Sequence, residues 1–176
     1  YTFPDDFSLY NWQREAAEGW FSADPTPADA ERGIAQVVTV AGNTVMALEV
    51  IRQWLDRNPE GVVTVVVPTK VLMHQWLTEL TSKLNVPTAE VGWMGDGHKD
   101  SYTDARVMVG IINSVVKDDY AREQLASADN PPHLLVADEC HRYTGEVFSN
   151  VFDYPRTAAL GLSATPLSQT IREPMT

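Results

Sequence analysis

The feature that most narrows the possible folds is a recurring apolar run of five or six residues that does not alternate with polar ones. Such runs occupy residues 34–39, 62–67, 106–111, 133–137 and 158–162, and a weaker one lies at 88–91. Several are continuous and rich in Val, Ile and Leu, as strands buried on both faces require. Helix-length segments separate them. Residues 44–57 carry Val45, Leu48, Ile51 and Leu55 at helical spacing, and residues 70–84 carry Leu72, Trp76, Leu80 and Leu84. Strands alternating with helices predict a mainly parallel sheet with right-handed crossovers and helices on both faces. Residues 21–32 read as a loop, as do residues 92–104, which are rich in glycine and acid.

With 176 residues, 44% of them hydrophobic and 21% charged, the chain suffices for one domain with a substantial core. No apolar stretch reaches the roughly 20 residues needed to span a bilayer, so no membrane partner is expected. A single cysteine, Cys140, excludes an internal disulfide and a cysteine-based zinc cluster, and suits a reducing cytoplasm. The formal charge of −11 argues against a protein that coats nucleic acid through a broad basic surface. It leaves room for a narrow strip in which backbone N–H groups and hydroxyls grip a few phosphates.

Open parallel sheets bind ligands beyond the carboxyl ends of their strands, so the residues just after each run are the candidates. After 133–137 come Asp138, Glu139, Cys140 and His141. Two adjacent carboxylates at the end of a buried strand are costly unless they are paired or serve a cation. In phosphoryl-transfer sites one holds Mg2+ and a neighbour orients the attacking water; a solvated strand end is the plain alternative. After 158–162 come Ser163, Ala164, Thr165 and Pro166, whose hydroxyls suit hydrogen bonds to the acidic motif or an ordinary loop. After 62–67, Thr69 and Lys70 open a helix that carries Gln75 and Trp76. Free N–H groups, a hydroxyl and an ammonium suit a phosphate, and equally an N-cap followed by a surface lysine.

The first run leads through Thr39, Val40, Ala41, Gly42, Asn43 and Thr44 into a helix. That is the setting of a phosphate-binding loop, with Asn43 in the lysine position of the pattern; taken alone it is a turn and an N-cap. Trp54 and Trp76 read as core rather than as platforms for bases, and Trp93 stays open. Asp96, Asp100 and Asp104 read as a solvated loop, because the calcium-loop spacing is absent.

In this order the pieces resemble superfamily 2 helicases, particularly type III restriction-enzyme helicase subunits and related DEAD/DEAH-like proteins. The resemblance runs from about residue 8 to residue 166, and its most specific elements are DECH at 138–141 and GLSATP at 161–166. PTKVLMHQW at 68–76 is similar to motif Ia, and GIINSV at 110–115 to the next nucleic-acid-facing motif. LYNWQREA at 9–16 is similar to the segment whose glutamine contacts adenine.

The resemblance implies a RecA-like three-layer α/β fold. Residues 1–32 would form an adenine-contacting helix and loop, residues 33–170 the first RecA-like domain, and a second RecA-like domain would lie outside this chain. It implies ATP and Mg2+ as cofactors and a helicase or translocase motor that hydrolyses ATP between the two domains. Nucleic acid would be the partner, DNA favoured over RNA. By position, Asp138 would hold Mg2+ with Thr44 as a direct ligand, and Glu139 would polarise the hydrolytic water. His141, Ser163 and Thr165 would couple nucleotide state to domain movement. Gln13 would read the adenine edge, and Thr39, Ala41, Gly42 and Asn43 would join Thr44 around the phosphates. Thr69, Lys70, Asn113 and Ser114 would line the strand-binding face.

Two departures stand out. Family members usually carry TGAGKT where this chain has TVAGNT. Val40 replaces a glycine whose missing side chain admits phosphate, and Asn43 replaces the charge that neutralises it. Loss of one such electrostatic group costs roughly 3 kcal/mol, about 100-fold in rate. The isolated chain is therefore expected to show negligible ATPase activity. The alternative is a hydrolysis-defective helicase-like domain that keeps its nucleic-acid or protein contacts. A serine hydrolase built on Ser163 would need glycine two residues later, where Thr165 stands. A Cys140–His141 thiol pair is disfavoured because neighbours on an extended segment point to opposite faces.

Overall fold

The computed structural model describes residues 1–4, 7–22, 34–38, 43–102, 105–115, 131–139 and 158–162. Seven strands form one sheet: β1 (Ile34–Val38), β2 (Val62–Val67), β3 (Val91–Gly95), β4 (His98–Lys99), β5 (Val107–Ile111), β6 (His133–Ala137) and β7 (Ala158–Leu162). Their order across the sheet is β1-β7-β6-β2-β5-β3-β4. Every pairing is parallel except that of β3 with β4. The described helices are α1 (Asn11–Ser22), α2 (Asn43–Arg57), α3 (Lys70–Ser82) and the single turn α4 (Ile112–Val115).

Burial on both faces follows from the continuous apolar runs. Along β2, Val63, Val65 and Val67 join one core layer, with Leu48 and Ile51 of α2 and Trp76 and Leu80 of α3. The alternate residues Val62 and Val66 join the other, with Met108 and with Ile112 and Val115 of α4. Thr64 falls on that second face, where its hydroxyl meets the Tyr102 hydroxyl and lies 2.7 Å from His133 Nε2. The α1 helix docks through Trp20, whose indole donates to the Ala159 carbonyl at 3.1 Å.

Three readings of the sequence are corrected. Residues 92–104 are not simply a loop: β3 and β4 make a hairpin there, turning through Asp96 (φ 51°) and Gly97 (φ 76°). The weak run at 88–91 is a 3-10 turn (Thr88–Glu90) that leads into β3. Glycine and acid masked the strands. Asp100 is also no mere solvated residue, since its carboxylate accepts from the Trp93 N–H at 3.0 Å and so closes the hairpin.

Candidate functional site

Register brings the strand ends to one edge. Val38 of β1 pairs with Leu162 of β7, Gly161 of β7 with Ala137 of β6, and Ala137 with Val66 of β2. Asp138 follows directly, and its N–H donates to the Val66 carbonyl at 2.9 Å, extending the ladder by one bond. The Asp138 side chain is buried at that edge, the residue being 8% exposed. Each of its carboxylate oxygens accepts an N–H: Oδ1 from the Glu139 backbone at 2.9 Å, and Oδ2 from the Trp76 indole at 2.7 Å.

Glu139 sits at φ 52°, the left-handed region. That conformation costs a non-glycine residue roughly 1–2 kcal/mol. The chain therefore leaves β6 by a sharp turn, and the two carboxylates do not simply alternate across an extended strand.

Thr44, in the first turn of α2, and Asp138 line a common cleft of about 640 Å³. Leu72, Gln75 and Trp76 of α3 form part of its wall. A carboxylate and a hydroxyl are hard oxygen donors of the kind Mg2+ takes while keeping several waters, and the cleft has room for them. The residues present thus fit the metal. Thr44 and Asp138 would hold it, and the ion would supply charge neutralisation of phosphate oxygens. At the start of α2, Asn43 stands where the family pattern has an ammonium.

The other anticipated residues divide. Gln13 is buried, and its Oε1 accepts from the Tyr10 N–H at 2.9 Å, while the Tyr10 carbonyl accepts from the Gln13 N–H at 3.0 Å. Gln13 therefore closes the first turn of α1 in the manner of a capping box. The Thr69 hydroxyl accepts from Leu72 N–H at 3.3 Å as the N-cap of α3. Lys70 Nζ lies 3.2 Å from Asp96 Oδ1, and His74 Nε2 lies 3.4 Å from Asp96 Oδ2. Lys70 and then His74 hold the Asp96 carboxyl below the usual carboxylate range. On α4, Asn113 is exposed and Ser114 half-buried. Thr39, Ala41, Gly42, Cys140, His141, Ser163 and Thr165 lie outside the described residues.

Sequence reasoning took Trp76 for core alone. It is core, 2% exposed, and it is also the donor to Asp138. A buried indole N–H needs an acceptor, and that requirement was the available signal.

The family model for the type III restriction enzyme res subunit matches residues 6–168. The chain belongs to this family. A protein of African swine fever virus, named as an ATP-dependent RNA helicase, is 30% identical to this res-subunit domain over 169 residues, covering 93% of the chain. The chain spans 30% of that relative's length. Among solved structures, the UvsW helicase of bacteriophage T4 superposes with a TM-score of 0.69 at 23% identity, covering 93% of this chain and 55% of its own. The Sulfolobus solfataricus SWI2/SNF2 ATPase core in complex with dsDNA superposes with a TM-score of 0.70 at 16% identity, covering 97% and 34%. The fold is the RecA-like α/β fold that these helicase neighbours share.

Proposed function

We propose that the res-subunit domain binds ATP with Mg2+ at the carboxyl edge of its sheet and acts as the first motor domain of a superfamily 2 helicase or translocase. The observation that carries this reading is the shared cleft of Thr44 and Asp138, residues that arrive from opposite halves of the chain. Glu139 orients the hydrolytic water, and a second RecA-like domain completes the site. His141, Ser163 and Thr165 transmit nucleotide state. Gln13 adds adenine recognition to its capping role. Thr69, Lys70, Asn113 and Ser114, at the ends of β2 and β5, face the nucleic acid. We favour DNA, in a cytoplasmic setting, on the branch the motifs resemble. The viral relative is named for RNA and the Sulfolobus neighbour is a complex with dsDNA, so paired oligonucleotide titrations at one salt concentration decide the point.

A second reading has its own support in Val40 and Asn43. It is a domain that keeps its nucleic-acid or protein contacts and has lost hydrolysis. Titration with a fluorescent ATP analogue, beside a Val40→Gly/Asn43→Lys form, separates the two. The motor reading expects the repaired loop to bind at least about 10-fold tighter, a gain of about 1.4 kcal/mol. Equal affinities would mean that residues 39–44 are not a phosphate loop.

A further inference from the structure

We infer that Trp76 is a positioning residue for the metal-binding carboxylate, acting through its indole N–H on Asp138. This rests on the reading of Asp138 as the Mg2+ carboxylate.

The geometry has three parts. The bond is short, 2.7 Å from Nε1 to Oδ2, between two residues that are 2% and 8% exposed. Water therefore competes for it little, and the bond acts in a medium where a misplaced carboxylate is expensive. The donor is held in place because the Trp76 ring lies in the main core layer with Leu80 of α3 and with Val63, Val65 and Val67 of β2. Finally, the second oxygen is fixed independently by the Glu139 N–H at 2.9 Å. Two N–H donors on two oxygens set the plane of the carboxylate as well as its position.

The chemistry of the donor matters. Lysine or arginine at this place would neutralise Asp138 and compete with the cation. An indole N–H is neutral, so it orients the carboxylate without placing a competing positive charge beside it. Phenylalanine would fill much of the same space and supply no donor, so the role of the ring and the role of the N–H can be separated.

The experiment uses the chain labelled with 15N. Its five tryptophans give five indole N–H resonances, and Trp76→Phe identifies one of them. That resonance is expected to move when Mg2+·ATP is added and to stay in place when ATP is added with EDTA. In parallel, ATP affinity is measured with Mg2+ and with EDTA. Trp76→Phe is expected to lose about 10-fold of the Mg2+-dependent gain, the usual effect of removing a group that orients a metal ligand. Its affinity in EDTA should be unchanged, and circular dichroism should report a native fold.

Retention of the full gain in Trp76→Phe, with Asp138→Asn losing it, would overturn the positioning role and leave the metal reading standing. Retention of the gain in Asp138→Asn, or its absence from the wild type, would overturn both. If Trp76→Phe fails to fold, the resonance is identified instead by its shift in Asp138→Asn. A wild-type resonance indifferent to Mg2+·ATP that does bind then overturns the inference.

Discussion

At the scale of single residues, two positions have jobs that a single substitution can test. Gly110, the last buried residue of β5, precedes the turn that becomes α4. A Cβ built there would stand 2.2 Å from Val115 Cγ2, so the helical turn folds back on the strand only because the position has no side chain. Gly110→Ala should cost about 1–3 kcal/mol through overpacking, lowering Tm by roughly 3–10 °C in a domain of this size. A variant that melts like the wild type would show that α4 is not packed as described. Gln13 has two candidate jobs with different readouts. Gln13→Ala should lose about 1 kcal/mol of stability as a cap. If it also reads adenine, the variant loses the preference for ATP over GTP. Loss of stability with nucleotide preference intact would assign Gln13 to the helix start alone. Gln13 was legible as a residue of interest for the motif around it, whereas Gly110 stood out only as the first residue of GIINSV. Trp76 was legible only as core, because its partner lies 62 positions away and no local pattern joins a helix face to a strand end.

At the scale of elements, the β3–β4 hairpin is the part that sequence reading missed. The strands β2, β5, β6 and β7 announce themselves as unbroken apolar runs, since both of their faces are covered. The hairpin lies at the sheet edge, with β4 exposed, and its glycines and carboxylates read as loop. Its turn delivers Asp96 to Lys70 and His74 of α3. A carboxylate beside Lys70 occupies the kind of position a nucleic-acid phosphate would take. Asp96→Asn should therefore release Lys70, raise affinity for a single-stranded oligonucleotide several-fold, and steepen the dependence of log K on log salt by up to about one. Adding Lys70→Ala should erase the gain. An unchanged salt slope would remove Lys70 from the nucleic-acid face. The sign of the pH effect follows from the shift at Asp96. Its carboxyl is held low in the folded chain by Lys70 and then His74, so the stabilisation it contributes is present above the ordinary carboxylate range of about 3.9. It is lost as pH falls through the lower folded value. Charge competition at Lys70 should accordingly persist through the neutral range.

At the scale of the molecule, the parallel sheet does the positioning. Runs of Val and Leu fix which strands are buried, register aligns their ends, and the residue after β6 and the first turn of α2 meet at one cleft. The order of these segments was legible because each chemical motif directly follows an apolar run. The pairing across the sheet was not, since β1-β7-β6-β2 joins strands far apart in sequence. Among the described residues the cleft is lined on one side by α3 and stays open. Phosphoryl transfer depends on charge stabilisation in a water-excluded site, and a cleft of about 640 Å³ open to solvent does not exclude water. Repairing the loop should consequently separate binding from catalysis. In this chain, Val40→Gly/Asn43→Lys should bind ATP more tightly while phosphate release stays at the level of an Asp138→Ala control. On the proposed reading, tight binding needs the cradle and the metal, whereas hydrolysis needs the opposing domain to close over them. Turnover well above that control in the chain alone would mean that this cleft completes its own catalytic site, and that the second RecA-like domain serves movement rather than chemistry.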